Sequence, residues 1–457
     1  MANTTAPQRS SELRKVVAGV WLAATGLILL LLARPAIAGS DHESKSKDHF
    51  NAGVGVVDIT PTDAVVLAGS PTARRTSTIG TRLFARALVI SVGDQKVAIV
   101  TLDTLKYPVD LATEARKRIE QSTGIPMGNV MICSSHTHSG PLWSYYTDKL
   151  ITPINQAVAL AVRDLAPCEI GTAKGSVDGV SENRRVLIDG QAWNRWQVKP
   201  SEREKYPAEG PFDPGVEVLA VTGKDGRYKA IVFNYACHAA DNRALVISAD
   251  YPGDVQKYVA GKLGYDVPAL FLTGACGDVN PVYSAPPGTF GEKLGAEVVR
   301  CLEHAELIAK PALWVESKEV QIPGRENPQF NEKDVSLKWS GQFQHYQAAY
   351  DAMKKREKRA YPCFFTGIRI GDNFAIVTCP VELFCAIGLS IKHQSSFQHT
   401  IVAEQTNGAH GYVPTAKSFE GGGYETWFGE HSYLTVHAGQ IIENESVEIL
   451  KDLKKAH

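Results

Sequence analysis

Residues 129–141 read NVMICSSHTHSGP, an apolar segment that leads directly into two histidines and a Gly-Pro pair. The apolar half predicts a buried strand over residues 129–134, and Gly140-Pro141 places the remainder in a loop. Open α/β sheets bind their ligands in loops at the carboxyl ends of strands. In an extended chain His136 and His138 point to the same side, so both imidazoles can face one pocket. This stretch therefore predicts an α/β sheet with a site at its edge.

The rest of the chain alternates between strand-like and helix-like patterns. Apolar segments bounded by turn residues predict strands over 85–92, 96–103, 217–221, 229–235, 269–273, 367–370 and 373–378. Helical spacing of apolar residues predicts helices over 109–121, 150–165, 254–263, 291–304, 383–392 and 439–453. The predicted fold class is therefore α/β, a mixed sheet with flanking helices, in a single large domain over residues 50–457.

The composition is that of a globular protein without a nucleic-acid partner. Apolar residues make up 44% and charged residues 21% of the 457 residues, which excludes a disordered or collagen-like chain. The chain has 48 Lys and Arg against 49 Asp and Glu, a formal net charge of −1. A nucleic-acid-binding protein needs clustered positive charge to displace counterions, and this balance argues against one.

The N-terminal segment has the pattern of an export signal. Basic residues precede an apolar stretch over residues 16–33, and Ala36-Ile37-Ala38 fits a cleavage site of small residues. Residues 1–38 are therefore predicted to be a signal peptide, or alternatively an N-terminal membrane anchor, since the apolar stretch approaches the length of a membrane span. Residues 39–49 are predicted to be a linker. Both interpretations predict an exported protein, whether periplasmic, secreted or membrane-anchored.

The eight cysteines show no metal-binding or redox spacing. An even number in an exported protein permits disulfides, but no pair forms a CxxC motif. Several lie in apolar, strand-like segments, so we predict buried free thiols and no disulfide framework. Cys276 is a candidate nucleophile, which would make the protein a thiol hydrolase.

Further segments place polar side chains where predicted elements end or begin. His238 follows a predicted strand, and TGACGDVNP, residues 273–281, follows the next buried strand. Glu382 is predicted to open a helix, and Tyr412 and Tyr424 flank a glycine-rich loop. Each feature alone has an ordinary structural explanation, such as a tight turn or a favourable charge at a helix N-terminus.

Residues 325–359 differ from their surroundings because they are rich in lysine, glutamate, glutamine and aromatic residues. The stretch is either a helical hairpin inserted over the site or a solvated surface excursion. We expect the surface excursion.

Taken together, these segments resemble the neutral ceramidases, the neutral/alkaline non-lysosomal ceramidase family. The similarity begins at GVGVVDITP, residues 53–61, which is similar to the family's N-terminal signature. It continues in the family's order through HTHSGP at residues 136–141, the Gly277-Asp278-Val279 turn, the Pro-x-Glu of residues 380–382 and the tyrosine loop. The resemblance covers nearly all of residues 50–435 and implies the family's catalytic domain without the C-terminal β-sandwich of its larger members.

The resemblance implies a zinc site and a neighbouring proton-transfer group. The zinc ligands would be His136, His238, Glu382 and Tyr412, and His138 would be the histidine that handles protons. Imidazole, carboxylate and phenolate side chains suit zinc, and a catalytic site keeps one position open.

The resemblance also implies how substrate is held. Arg184 would contact the reacting carbonyl region, and Tyr424 would help to stabilise the developing oxyanion. Asn280 stands where the family has a serine, so a serine acyl-enzyme route at this position is excluded and Asn280 would bind substrate through hydrogen bonds. Residues 239–241, Ala-Ala-Asp, also depart from the family's Pro-Thr-Ser.

The expected function is that of a zinc-dependent amide hydrolase in which metal-activated water attacks an N-acyl amide. Ceramide, cleaved to a sphingoid base and a fatty acid, is the candidate substrate. One alternative is a metal hydrolase of the same fold that acts on a non-lipid amide or an ester. Another is a catalytically silent exported binding protein, which the missing serine favours and the four retained ligands oppose. The expected partners are a small-molecule or lipid substrate and, as a further candidate, a membrane surface.

Overall fold

Two β-sheets packed face to face form the centre of the protein. The structure is a computed structural model that describes residues 49–70, 73–326, 328, 334, 343–355 and 360–456. Within these ranges the strands are β1 (Asn51–Asp58), β2 (Val65–Val66), β3 (Arg75–Thr76), β4 (Phe84–Val92), β5 (Gln95–Leu102), β6 (Val130–Ser134), β7 (Ala166–Ser176), β8 (Ser181–Asn183), β9 (Arg185–Ile188), β10 (Gln191–Asn194), β11 (Gly215–Gly223), β12 (Tyr228–Tyr235), β13 (Ala269–Thr273), β14 (Val279–Pro281), β15 (Glu306–Leu307), β16 (Leu313–Pro323), β17 (Ala360–Ile370), β18 (Phe374–Thr378), β19 (Glu382–Leu383), β20 (His399–Ala403) and β21 (Tyr412–Val413). The α-helices of the same ranges are α1 (Val109–Thr123), α2 (Trp143–Tyr146), α3 (Ile151–Arg163), α4 (Asp250–Leu263), α5 (Thr289–Glu303), α6 (Phe343–Lys355), α7 (Cys385–Gln394), α8 (Ser418–Gly421) and α9 (Ala438–Lys455).

The larger sheet contains nine strands among the described residues. Their order is β13-β12-β11-β7-β1-β4-β5-β6, with β15 also beside β7. Strands β5 and β6 run parallel, as do β12 and β13, whereas the other neighbours pair antiparallel. The predicted α/β fold with a mixed sheet and flanking helices is therefore confirmed.

Apolar side chains on the two faces of the larger sheet pack against different layers. Ala87 and Val89 of β4 pack with helices α1 and α3, whereas Leu88 and Ile90 face the second sheet. Because successive side chains of a strand alternate in direction, β4 is buried on both faces. Helices α4 and α5 cover the part formed by β11 to β13, also on the side away from the second sheet.

The second sheet, in the order β16-β17-β18-β20, completes a helix–sheet–sheet–helix arrangement. Ile368 and Ile376 face the larger sheet, while Phe365 and Val377 face helices α7 and α9. The sequence predicts one sheet rather than two. A continuous apolar segment indicates that a strand is buried on both faces, but the choice of pairing partner depends on contacts between distant residues.

The predicted helices all lie within about four residues of observed ones, but the predicted role of Glu382 at a helix start is wrong. Glu382 belongs to β19, which pairs in parallel with β21 so that Glu382 lies opposite Tyr412. The following helix, α7, begins only at Cys385. A ladder with a segment thirty residues away in the sequence thus determines the conformation of Glu382.

The described part of residues 325–359 contradicts the expected surface excursion. Helix α6 lies within this stretch, and its Tyr350 and Met353 are buried in the core around the second sheet. The two side chains are three residues apart and therefore share one face of the helix. Residues 327, 329–333, 335–342 and 356–359 lie outside the described residues.

The predicted export segment, residues 1–38, and residues 39–48 of the predicted linker also lie outside the described residues. Among the residues that are described, no helix combines the length and the apolarity that a membrane crossing requires. All eight cysteines are described, have free thiols and, apart from the half-buried Cys168, are buried.

Candidate active site

The turn after β6 holds His136 in an unusual backbone conformation. His136 is non-glycine but has a φ of 61°, so the chain reverses sharply once the strand has ended. Its Nδ1 lies 2.8 Å from the carbonyl oxygen of Leu105, and its imidazole is buried. Its Nε2 consequently points into the interior, 3.4 Å from a carboxylate oxygen of Glu382.

His138 and His238 are brought together by the loops that carry them. The backbone N–H of His138 donates to the carbonyl of Ala239, next to His238, at 2.9 Å. The Nδ1 of His138 lies 3.1 Å from the carbonyl oxygen of Gly69, and that of His238 lies 2.8 Å from the carbonyl oxygen of Cys276. The edges of two different strands thus contribute histidines to one place.

The three histidines form one cluster with a common orientation. Ring centroids of His136 and His238 are 4.6 Å apart, and His138 lies 5.1 and 5.5 Å from them. Ligand atoms of the three residues all lie within 4.8 Å of one another. Since each Nδ1 faces a backbone carbonyl, the Nδ1–H tautomer satisfies all three, which leaves each Nε2 with a lone pair directed into the cluster.

Glu382 and Tyr412 close the cluster from the opposite side. The β19–β21 ladder places them side by side. A carboxylate oxygen of Glu382 lies 3.7 Å from the Nε2 of His238, and the hydroxyl of Tyr412 lies 3.4 Å from the same atom. The four residues that the resemblance implies as zinc ligands are therefore neighbours in the structure.

The cluster is suited to a divalent metal because several of its buried polar atoms have no hydrogen-bond partner among the described residues. Among the described residues, the Nε2 atoms of His136 and His138 and the Oε2 of Glu382 are buried without a hydrogen-bond partner. Each unpaired buried polar group costs about 1–3 kcal/mol, so such a concentration is rare in a purely structural site. Two or three imidazole nitrogens with a carboxylate and a phenol oxygen are ligands that zinc accepts.

Burial also favours protonation states suited to metal binding. Burial, reinforced by the neighbouring histidines, holds the pKa of His138 well below its usual range. Burial and the nearby Arg184 lower the pKa of His238 to about 4. Burial alone would raise the pKa of Glu382, but contacts with His136 and His238 outweigh it and lower that pKa. At neutral pH His138 and His238 are thus neutral and Glu382 is ionised.

Arg184 lies beside this cluster in a network of buried charges. Its Nε donates to Glu425 at 2.7 Å, and its Nη1 lies 3.0 Å from the amide oxygen of Asn280 and 3.1 Å from the Nε2 of His238. The second carboxylate oxygen of Glu425 accepts from Arg185 at 2.6 Å. Among the described residues, the Nη2 of Arg184 is buried without a hydrogen-bond partner.

The amide of Asn280 holds neighbouring side chains in place. Its oxygen accepts from Arg184, and its nitrogen donates to the hydroxyl of Tyr283 at 2.8 Å. The second N–H of this amide could donate to a substrate. The predicted contact between Asn280 and substrate stays a prediction.

Tyr424 belongs to an aromatic wall on the other side of the cluster. Its ring lies 5.5 Å from that of Tyr412 and stacks on His431 at 5.1 Å with an angle of 8°. Tyr346 of helix α6 packs edge-on against Trp427 at 4.6 Å. Rings this close contribute stacking energy as well as burial.

Cys276 is not placed to act as a nucleophile. It is buried, and its Sγ lies 3.2 Å from a carboxylate oxygen of Glu404, itself inaccessible to solvent. Burial and the charge of Glu404 raise the pKa of the Cys276 thiol well above its usual range, which disfavours the reactive thiolate. Glu404 also accepts the backbone N–H groups of Cys276 and Leu383, at 3.1 and 2.6 Å.

All of the predicted site residues therefore lie in or beside one buried cluster. Several residues of the site were not anticipated from the sequence: Tyr346, Glu404, Glu425, Trp427 and His431. Glu425 had a usable signal, because it directly follows Tyr424 in the glycine-rich loop, and Tyr346 lies in the aromatic-rich stretch 325–359, for which a helical hairpin over the site was the alternative.

Fold and site together define a mixed α/β protein with a buried histidine, glutamate and tyrosine cluster of metal-ligand character. Residues 50–281, half of the chain, match the family described as "Neutral/alkaline non-lysosomal ceramidase, N-terminal". The chain belongs to this family.

Individual relatives agree with this assignment. The neutral ceramidase of Pseudomonas aeruginosa is 25% identical over 289 residues, which cover 57% of this chain and 40% of the relative's own length. The crystal structure of neutral ceramidase from that organism matches 89% of this chain and 75% of its own with a TM-score of 0.69 and 17% identity. A structure described as ceramidase complexed with C2 matches with the same TM-score and identity, over 89% and 76% of the two chains. These two structures share the fold of this chain.

Proposed function

We propose that the protein is a metal-dependent hydrolase of N-acyl amides, with zinc as the metal and ceramide as the first substrate class to test. The observation that carries this proposal is the set of buried, unpaired ligand atoms on His136, His138 and Glu382. Membership of a ceramidase family supports the amide as the scissile bond. A binding protein would have no need to keep such atoms without partners.

The metal would be held by His136, His238, Glu382 and Tyr412. When bound, a zinc ion polarises a carbonyl and makes water more acidic. Backbone carbonyls keep the Nδ1 atoms of both histidines protonated, and this orients the rings toward the ion.

The remaining site residues would bind the amide and move protons. The unpaired Nη2 of Arg184 donates to the substrate's carbonyl oxygen, and the Tyr424 hydroxyl supplies a second donor as negative charge develops there. Burial raises the pKa of Tyr424, so its hydroxyl keeps its proton. The Nε2 of His138 takes a proton from the attacking water and delivers it to the leaving amine.

An assay of metal dependence tests this proposal. The purified protein is tested on a fluorogenic ceramide and on a short N-acyl amide, before chelation, after chelation and after zinc is restored. We expect activity that disappears with the chelator and returns with zinc, and the faster substrate identifies a lipid or a non-lipid enzyme. Folded, zinc-loaded protein that hydrolyses neither compound would contradict the proposal.

A further inference from the structure

Three positively charged side chains surround the candidate active site without an ion pair among the described residues. Arg74 donates from its Nη2 to the carbonyl oxygen of His138 at 3.0 Å. Lys106 is half-buried and follows Leu105, whose carbonyl holds His136. Arg243 is the third. We call these three residues the cationic rim.

Arg243 is linked to the reacting centre by a series of direct contacts. Its guanidinium carbon lies 5.4 Å from the ring centroid of Tyr283. The hydroxyl of Tyr283 accepts from Asn280, and Asn280 accepts from Arg184. The exposed guanidinium of Arg243 therefore lies at the outer end of a path whose inner end is the unpaired donor of Arg184.

Most carboxylates close to the site are already engaged. Glu425 is bound by two arginines, and Glu182 lies 3.2 Å from Arg195. Asp241 is half-buried in the same loop as Arg243; burial raises the pKa of Asp241, and the charge of Arg243 acts in the opposite direction, so these two side chains interact. One such carboxylate does not balance three cations, so the cationic rim leaves an excess of positive charge beside the site.

We propose that the substrate is an N-acyl amide whose portion beyond Asn280 carries an anionic group, such as a carboxylate, sulfonate or phosphate, bound by Arg243. Arg74 and Lys106 add to the attraction. The proposal rests on the proposed function and narrows its substrate class. A guanidinium binds two oxygens of such an anion through paired hydrogen bonds, and like charges around a site concentrate substrates of the opposite sign. Ceramide, which is uncharged, would use none of these cations.

Two nearly isosteric substrates isolate the charge. N-octanoylglycine ends in a carboxylate, whereas N-octanoylglycinamide ends in an uncharged carboxamide of nearly the same shape. Both are studied in solution with the zinc-loaded protein. Amine release gives kcat and KM for each. We expect kcat/KM to be about tenfold higher for the glycine conjugate, with the preference falling as salt is added.

The variant Arg243→Ala tests the residue itself. We expect the ratio of the two kcat/KM values to fall from about ten to about one, mainly through a higher KM for the glycine conjugate. Arg227→Ala is the matched control, because Arg227 is also exposed and stacks on a tyrosine, Tyr265, at 4.0 Å. It precedes β12, at the end of that strand opposite His238, and its loss should leave the ratio unchanged.

Other outcomes separate this inference from the proposed function. Hydrolysis of the glycinamide conjugate or of ceramide without a preference for the anion, or a preference that Arg243→Ala leaves intact, overturns the inference and leaves the function standing. The inference is also overturned if the cationic rim raises activity only toward a neutral substrate in phosphatidylglycerol vesicles. The anion that the rim binds would then be a lipid headgroup of the membrane and not part of the substrate. Failure to hydrolyse all three compounds contradicts the function itself.

Discussion

The histidine cluster and the arginine network are adjacent, yet their polar atoms differ in whether they have hydrogen-bond partners. In the network, both carboxylate oxygens of Glu425 accept from guanidinium groups, at 2.7 Å from Arg184 and 2.6 Å from Arg185. In the cluster, His136 and His138 each leave an Nε2 without a hydrogen-bond partner among the described residues. Ion pairs fix the positions of the side chains that form them, whereas nitrogen atoms with unpaired lone pairs are available to bind a ligand.

Arg184 belongs to both regions and shows how they cooperate. Its Nε and Nη1 are engaged by Glu425 and Asn280, while its Nη2 is left unpaired among the described residues. The network therefore presents one donor of a rigid side chain to the cluster. This division of labour predicts that mutations in the cluster affect chemistry first, and mutations in the network affect stability first.

The largest expected effect is that of His136→Ala. Removing a metal ligand should lower zinc affinity by more than the roughly 10–100-fold that loss of an outer partner costs, and activity should disappear with the metal. His138→Ala should keep zinc and lose rate. Bound zinc is measured by inductively coupled plasma mass spectrometry on dialysed protein. Equal loss of zinc in both variants would show that the roles of these two histidines are wrongly assigned.

Glu425→Ala should have the largest effect on stability. It leaves two buried guanidinium groups without their shared partner, which costs about 3–5 kcal/mol in the free energy of unfolding. Glu114→Ala is the control, because its ion pair with Arg118 is exposed and worth only about 0.3–0.5 kcal/mol. Urea unfolding measures both. Similar losses in the two variants would mean that the network does not stabilise the fold as the comparison requires.

The same network should make the free energy of unfolding depend on pH, with a smaller effect than that of Glu425→Ala. Burial alone would raise the pKa of Glu425, but Arg184 and Arg185 outweigh it and hold that pKa below its ordinary 4.5. The carboxylate therefore contributes stability above pH 4.5 that is lost as the pH falls through its folded-state pKa. We expect the difference in unfolding free energy between the wild type and Glu425→Gln to shrink in acid. A difference that stays constant with pH would contradict the assigned ion pairs.

The smallest effect on activity is expected for Cys276→Ala. The thiol is buried and its pKa is raised. It therefore resembles the hydrogen-bonded groups of the arginine network more than the unpaired groups of the histidine cluster. Activity should stay within about threefold of the wild type, as measured by the same amide assay. A complete loss of activity in a variant that still binds zinc would support the alternative hypothesis that Cys276 is the nucleophile of a thiol hydrolase.

The sequence predicted those parts of the site that depend on local patterns. An apolar strand followed by His-x-His indicates a sheet edge, and the structure places His136 and His138 at one. Glu382 and Tyr412 were predicted to be metal ligands only through a family resemblance, because thirty residues separate them and a two-residue ladder brings them together.

Glu425 and Glu404 illustrate what local patterns could not reveal. Glu425 pairs with arginines about 240 residues earlier in the chain, and Glu404 accepts a backbone N–H from Cys276, 128 residues away. A glutamate in a loop or after a short strand is ordinarily solvated, so nothing in its neighbourhood marks it as buried. The second sheet was missed for the same reason, because strand pairing is decided by contacts between distant segments.

The division of the cluster between two distant parts of the chain has a further consequence for how this protein can evolve. The histidines of the cluster come from the segment that the family match covers, residues 50–281, whereas Glu382, Tyr412 and Tyr424 come from beyond it. Neither part carries the complete set of proposed site residues, so under the proposed function neither part would work as a unit on its own. Selection on the proposed chemistry would act on both halves of the gene together.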